Sequence, residues 1–594
     1  MSWTSGDVIN TQARLRRLSS SIPSSYTVYK DGSTIRAETN LSGGTDYSGS
    51  DATTVIQGAI DALGVDGGVV FIKEGTYFCT VTRTNIGGTD YDLAVRSKDN
   101  ITIRGAGMNK TILKLANGEA DAAISSAVIS AYNWNLGGAN PNTHIEIQDL
   151  TVDFNKANQA VPNNNVYHIG VMFSAVTKSS IKNVEVKNAG TWGIGLYGGA
   201  DAGSKIDNIL VDGCDVHGCG GGNTPNYDCG IFVSWNETKG VSIQHTYVWG
   251  NDGYGIVFED GVSHSQIANC WVHTNLVDGI YVYGGTVGSK YLSILDNFVI
   301  DNGENVAGHG AGIHCAVNIE NLKIKNNFVK ENYYDGIKVL SQTSGKIKDV
   351  QITGNTLVNN NLHTVHETYY GAISVMGTDA TQNVFKAIVT DNVAYDDQGA
   401  KTQEFGLRDN AFVDYLIFKD NEFMDNIHAV YSDALSATHR TVRDNKGFAH
   451  DSLSVSFVDG SDAQDSGFEI DLAAEYARAY IVLPEQVNTV SEIRIYARSV
   501  VLEADAMRLE ILINAGADNE AYNAETIAVA DKPSTSTNFA ANDIIYWTLT
   551  SADDADIGDL TRGDSLEIKV LHEAAGGDDC ETDAFFRSIE ITYS

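Results

Sequence analysis

Proline is scarce, six residues against 58 glycines in 594, a ratio that suits β structure with many tight turns. No run of about 18 apolar residues occurs, so no membrane-spanning helix is expected. The first 17 residues are polar, carry Arg14, Arg16 and Arg17, and lack the apolar core of a secretion signal. The expected location is therefore extracellular by another route, or virion-associated, unless a signal is removed earlier. Cysteine is sparse and odd in number, with seven residues at 79, 214, 219, 229, 270, 315 and 580. The spacing of Cys214, Cys219 and Cys229 fits no zinc pattern, and no metal-ligand set is expected. Basic residues are outnumbered, 40 Lys+Arg against 76 Asp+Glu, for a net charge of −36. Residues 451–594 hold 29 acidic and 8 basic residues, a balance of −21 that leaves −15 for the first 450. Such a chain repels nucleic acid.

What is present is a repeat. A Gly, an aliphatic residue, a variable residue and an apolar residue recur at Gly193–Leu196, Gly230–Val233, Gly255–Phe258, Gly279–Val282, Gly312–Cys315 and Gly336–Val339. Ala372–Val375 is a seventh copy, and Gly406–Asp409 a weaker eighth. A second phrase alternates with the first, an aliphatic residue followed three positions later by Asn, giving Asn297, Asn327, Asn355, Asn392 and Asn421. Cys214, Thr246 and Cys270 hold the same slot upstream. Units of about two dozen residues, made of short strands and Gly/Asn turns, must stack on their neighbours to bury an apolar face. Two phrases that keep register through insertions predict an all-β, right-handed parallel β-helix, with the Asn slot as a stacked amide ladder.

Residues 1–45 form an N-terminal segment with a strand pair near Tyr26–Tyr29 and Ile35–Ala37. Ser50 or Asp51 then caps a helix whose Val55, Ile56, Ala59, Ile60 and Leu63 share one face and cover the open first coil. The solenoid is expected from 46 to 450. From 451 to 594 alternating strands between Asp/Gly/Asn turns predict an antiparallel β-sandwich, an accessory unit for carbohydrate binding, calcium-stabilised packing or oligomerisation.

The opening strands Gly67–Tyr77, Asn100–Gly107 and Thr111–Leu115, with the repeats that follow, resemble the pectate-lyase-like superfamily. Mannuronan C-5 epimerases, alginate and pectate lyases, polygalacturonases and phage tailspikes share its right-handed β-helix. The resemblance covers about residues 46–450 and implies a polysaccharide substrate. Mannuronan epimerases carry Asp-Pro-His after the Tyr-Gly-Phe of a repeat, whereas this chain reads Trp192-Gly193-Ile194-Gly195-Leu196-Tyr197. That departure favours a lyase over an epimerase. Calcium-dependent pectate lyases bring several carboxylates to one face, where this chain offers mainly Glu259 followed by Asp260, so calcium stays open and no other cofactor is expected.

Strand alternation turns the variable residue of each copy outward, giving a column of Gly195, Phe232, Val257, Tyr281, His314, Lys338, Ser374 and Arg408. The next outward slot adds Tyr197, Ser234, Glu259, Tyr283, Ala316 and Leu340. Insertions ahead of the repeats bring His309, His363, His366, Tyr369, Tyr370, Tyr227 and Lys401 to the same side. Tyr281, His314, Lys338 and Arg408 are the candidate catalytic set. Phe232, Glu259, Tyr283, His309, His366, Tyr369 and Tyr370 are the candidate substrate-binding residues. A base, an acid and cations beside aromatic rings suit β-elimination on a uronate polymer such as alginate or pectate. Lys338 or His314 would serve as base, Tyr281 as acid or second base, and Arg408 as carboxylate partner. Three alternatives remain: an epimerase, a hydrolase using the pair Asp278 and Asp335, and a non-catalytic tailspike-like or adhesin-like binder. Asp before Gly-Ile is also an ordinary turn residue. The oligomeric state is expected to be monomeric, or trimeric in a virion fibre.

Overall fold

A computed structural model shows the architecture. It describes residues 25–424 apart from 40–43, 87–88, 133–140, 199–204, 222–227, 236–237, 304–308, 343–344, 363–370, 380–382, 400, 404 and 410–411, then Asn426 and the strands beyond. The chain divides into two compact units, Met1–Asn421 with Thr441–Arg443, and Glu422–Arg440 with Asp444–Ser594.

An antiparallel hairpin, Tyr26–Asp31 with Thr34–Thr39, precedes helix α1 at Ala52–Ala62. Asp51 is the N-cap, its carboxylate accepting from the Thr54 amide at 2.8 Å. Val55, Ile56, Ala59, Ile60 and Leu63 are buried on one face, the stripe that 3.6-residue spacing requires.

Each following coil has three faces. Ile280–Tyr283 pairs in parallel with Ile313–Ala316 on the Gly-Ile face. Ser289–Leu295 pairs with Ile319–Lys325 on a long-strand face, and Phe298–Ile300 with Phe328–Lys330 on a short-strand face. Inward Ile, Val and Leu of all three fill the core. The Gly of the repeat is required by close approach. A Cβ at Gly279 would stand 2.7 Å from the Gly312 carbonyl oxygen, and one at Gly255 2.4 Å from that of Gly279.

The amide ladder lies at the turn between the long and short strands. Asn297 Nδ2 donates to Asn327 Oδ1, Asn327 to Asn355, Asn355 to Asn392 and Asn392 to Asn421, each at 2.9 Å. The same Nδ2 groups donate to strand carbonyls, Asn297 to Ile267 and Asn327 to Ile294, both at 3.0 Å. Cys270 takes that place upstream, its thiol directed to the Ile243 carbonyl at 3.7 Å. Burial pushes the thiols of Cys214, Cys219 and Cys270 up to about 12, and they pack as small apolar groups. The residue before each rung is left-handed, as at Asp296, Asn326, Asp391 and Asp420, where Asn and Asp are tolerated best.

A second ladder runs five residues further on, at the far end of the short strand. Asn251, Asn275, Asn302, Asn332 and Asn360 pass an amide hydrogen bond from coil to coil at 2.8–3.0 Å, and Asn360 reaches Gln403 at 3.5 Å. The spacing Asn297/Asn302, Asn327/Asn332 and Asn355/Asn360 is its sequence signal.

In the second unit the strands pair antiparallel in two sheets, of five and four strands. Ser452–Ser456 and Val490–Ser499 flank Ala584–Tyr593 in one, and Arg508–Gly516 lies between Glu525–Pro533 and Ser565–His572 in the other.

Candidate active site

The variable slots stack in the expected order. Val257 lies opposite Tyr281, Tyr281 opposite His314, His314 opposite Lys338, Lys338 opposite Ser374 and Ser374 opposite Arg408. Arg408 is thus two coils beyond Lys338, and Tyr283 stands beside Glu259 in the neighbouring column.

The column is not the solvated strip that alternation alone predicts. His314 is 2% exposed, Lys338 9% and Phe232 5%. Upstream, the outer face carries an apolar cluster in which Phe232 stacks on Trp192 at 4.1 Å between ring centroids and Trp192 stacks on Tyr167 at 4.2 Å. Phe232 is therefore a packing residue of this cluster and offers no free face to a sugar ring. His366, Tyr369, Tyr370 and His363 lie outside the described residues, as does Tyr227. Lys401 Nζ is tied to the Asp396 carbonyl, and Asp252 is paired with Lys156 at 2.6 Å.

The polar centre is built around Asp278, which is fully buried. Its Oδ1 accepts from the amides of Gly310 at 2.6 Å and Ala311 at 2.7 Å, and its Oδ2 faces His314 Nδ1 at 2.9 Å and His309 Nδ1 at 3.3 Å. Burial opposes ionisation of Asp278, but the adjoining His314, then His309, outweigh it and hold the carboxyl well below the usual carboxylate range. His314 is shifted downward, chiefly by burial, with Lys338 adding repulsion and Asp278 opposing both. The state that satisfies both groups is an Asp278 carboxylate accepting from a neutral His314, whose Nδ1 carries the proton. His314 Nε2 is then a bare lone pair. It is buried and finds no partner among the described residues.

Around this pair, Tyr281 packs 5.1 Å from His314 and stacks on Tyr254 at 4.9 Å. Burial, then the charge of Asp278, raises the Tyr281 phenol far above its usual range, so it is a proton donor rather than a base. His309, its side chain 30% exposed, forms the solvent side of the site. Glu259 is raised by burial, then by Asp260, and its Oε2 accepts from Ser234 at 3.4 Å. Lys338 makes no ion pair among the described residues.

Two outward slots per strand do not reveal the contact of Asp278 with His314. Alternation breaks at Gly279 and Ile280, which both face inward, so the residue before the Gly emerges outward as well. That adds a third column, Trp192, Cys229 and Tyr254, with Asp278 next. The second hydrolase candidate, Asp335, uses Oδ1 to accept from the Gly371 amide at 2.8 Å and from the Ser374 hydroxyl. Both aspartates anchor the start of the next coil, the turn role that Asp before Gly-Ile suggested; Asp278 uses both oxygens, whereas Asp335 Oδ2 is buried with no hydrogen-bond partner among the described residues.

Ligand atoms of Asp278, His309 and His314 lie within 4.8 Å of one another, a set the sequence reading did not anticipate. Two imidazoles and one carboxylate suit a transition ion such as zinc, whereas calcium takes oxygen donors.

Residues 138–327 match the family described as right handed beta helix region. Mannuronan C5-epimerase AlgE5 of Azotobacter vinelandii is 25% identical over 276 residues, 43% of this chain and 25% of that protein. Alginate lyase 7 of the same organism is 36% identical over 111 residues, 18% of this chain and 11% of the lyase. The chain thus spans a quarter or less of the length of these curated relatives. The A-module of mannuronan C-5 epimerase AlgE6 from A. vinelandii superposes with a TM-score of 0.53 at 18% identity, over 67% of this chain and 95% of the module. The three-faced coil, its ladders and these matches show the fold of a right-handed parallel β-helix.

Proposed function

We propose that this protein is a carbohydrate-active enzyme that removes the C5 proton of a uronate residue in an acidic polysaccharide such as alginate, and cleaves the chain by β-elimination. The observation that carries this reading is the dyad of Asp278 and His314, set between a protonated Tyr281 and Lys338. Relatives named as mannuronan epimerases and an alginate lyase support the substrate class, because both reactions begin by taking a proton beside a carboxylate.

In the proposed step His314 Nε2 accepts the C5 proton. Asp278 fixes the imidazole and stabilises the imidazolium. Lys338, with Arg408 further along the column, offsets the substrate carboxylate as charge builds on C5. The C5 electron pair forms the C4–C5 double bond, the C4–O4 bond breaks, and the Tyr281 hydroxyl protonates O4. This narrows the base to His314 and gives Lys338 the role of charge partner. An epimerase would share the first step and return a proton to the opposite face. We assign residues 451–594 as an accessory β-sandwich, which a truncation near residue 450 would test by retaining activity.

The deciding experiment incubates the full chain with alginate, pectate and hyaluronan in deuterated buffer. It follows ultraviolet absorbance of the unsaturated uronate together with deuterium at C5. A rise in absorbance that is lost in His314→Ala supports the lyase. Deuterium at C5 without absorbance moves the assignment to an epimerase. New reducing ends without either signal overturn proton abstraction altogether.

A further inference from the structure

On the long-strand face, one turn around the coil from the candidate active site, a groove is lined by Lys290, Asn318, Glu320, Lys346 and Lys348. Strand register places Lys290 opposite Glu320 and Glu320 opposite Lys348, so the two lysines stand two coils apart, about 10 Å at the usual strand spacing. Lys323 and Lys325 project from the middle coil, and all five lysines are exposed. None of the five makes an ion pair among the described residues.

Pairing is common but not universal among the other solenoid lysines, since Lys110, Lys178 and Lys338 also make no ion pair among the described residues; what marks the five is their clustering. Lys114, Lys156, Lys182, Lys187, Lys239 and Lys386 are each paired with a carboxylate within 3.8 Å. The chain as a whole carries −36. Five unpaired lysines on three consecutive coils, against Glu320, Asp296 and an Asp349 already paired with Lys386, leave a local cationic surplus in an acidic molecule. A like-charged patch costs self-repulsion, which a polyanionic ligand would relieve.

We propose that this groove is a second binding site, separate from the catalytic column, for an acidic polysaccharide chain lying along the solenoid axis. The spacing fits the ligand. In an extended two-fold uronate chain alternate carboxylates point to the same side, and one coil advances by about the length of one sugar ring. Carboxylates on one side of such a polymer would then meet Lys290 and Lys348 in turn, with Lys346 beside the second. The choice of ligand rests on the uronate reading above, but the site requires binding and no cleavage.

The test uses the full chain and oligoguluronate and oligomannuronate of defined length, with affinity measured by calorimetry at low and moderate salt. In the triple variant Lys290→Gln, Lys346→Gln, Lys348→Gln, affinity for long oligomers should fall about tenfold or more, with a shallower salt dependence. Turnover of the shortest cleavable oligomer should stay as in the unmodified protein. The double variant Lys182→Gln, Lys239→Gln removes two paired lysines on earlier coils of the same face and should bind as before. Unchanged long-oligomer affinity in the triple variant overturns the proposal, as does an equal loss for single-stranded DNA, which would mark a general polyanion patch. Loss of uronate binding in the triple variant of a protein that cleaves nothing would leave this site standing and remove the catalytic reading instead.

Discussion

His314 Nδ1 lies 2.9 Å from Asp278 Oδ2, joining residues 36 positions apart through the stacking of adjacent coils. The same carboxylate holds the amides of Gly310 and Ala311 with its other oxygen, so it cannot rotate away. Asp278→Asn tests the dyad without emptying the site. The Asn Oδ1 would keep the two amides and present Nδ2 to His314, which forces Nδ1 to accept and moves the ring proton to Nε2. Proton abstraction should fall about 10²- to 10⁴-fold with the fold retained, measured as turnover beside a thermal melt. Retained turnover in that variant would remove His314 as the base.

The pH profile supplies a second check. His314 is lowered from its ordinary range, first by burial, with Lys338 contributing in the same direction and Asp278 opposing. The base is lost as pH falls through the folded value, so kcat/KM should be level at the usual imidazole range of about 6.5 and drop only below it. Lys338→Met should move this acidic limb to higher pH, and Asp278→Asn to lower pH, whatever either does to the plateau. Two shifts in the same direction would contradict the assignment.

Metal ions should act as inhibitors. Asp278, His309 and His314 can converge on a transition ion, but an ion there would take the Nδ1 that orients the base. Activity should survive chelation and fall on addition of zinc, and His309→Ala should weaken zinc inhibition. Activity lost on chelation and restored by zinc would instead make the three residues a working metal site.

Much of the solenoid was legible because a stacked architecture writes each contact into the sequence many times. Gly279 and its equivalents repeat because any Cβ would strike the next coil's carbonyl, and Asn327 repeats because each amide must serve the next. The column Tyr281, His314, Lys338 and Arg408 followed from the same register. Its burial did not, because Trp192, Tyr167 and His309, which cover neighbouring parts of the face, sit outside the repeated phrase. In the sequence Asp278 has the signature of a turn residue or of half a carboxylate pair. Its hydrogen bond to His314 depends on alternation failing at the Gly-Ile step, a local feature that period-2 counting does not register.

The ladder gives the last prediction. Asn327 sits mid-ladder: its Nδ2 donates to Asn355 Oδ1 at 2.9 Å and to the Ile294 carbonyl at 3.0 Å, and its Oδ1 accepts from Asn297 Nδ2 at 2.9 Å and the Asn297 amide at 3.0 Å. Asn327→Ala therefore strands two donors on Asn297 and the Ile294 carbonyl in a site closed to water, where Asn327 is 1% exposed. An unsatisfied buried group costs about 1–3 kcal/mol, and relaxation offsets part of the sum, so a loss of about 2–4 kcal/mol is expected. Asn421, the last rung among the described residues, donates to Val389 and Lys419 carbonyls at 2.9 Å and accepts from Asn392. Asn327→Asp retains the acceptor for Asn297 but brings an ionised carboxylate against Asn355 Oδ1 and the Ile294 carbonyl, so it should destabilise more at pH 7 than at pH 3. Urea unfolding at both pH values, followed by tryptophan fluorescence, measures this difference. Equal midpoints for the Asp variant and the unmodified chain at pH 7 would show that the rung carries no donor role.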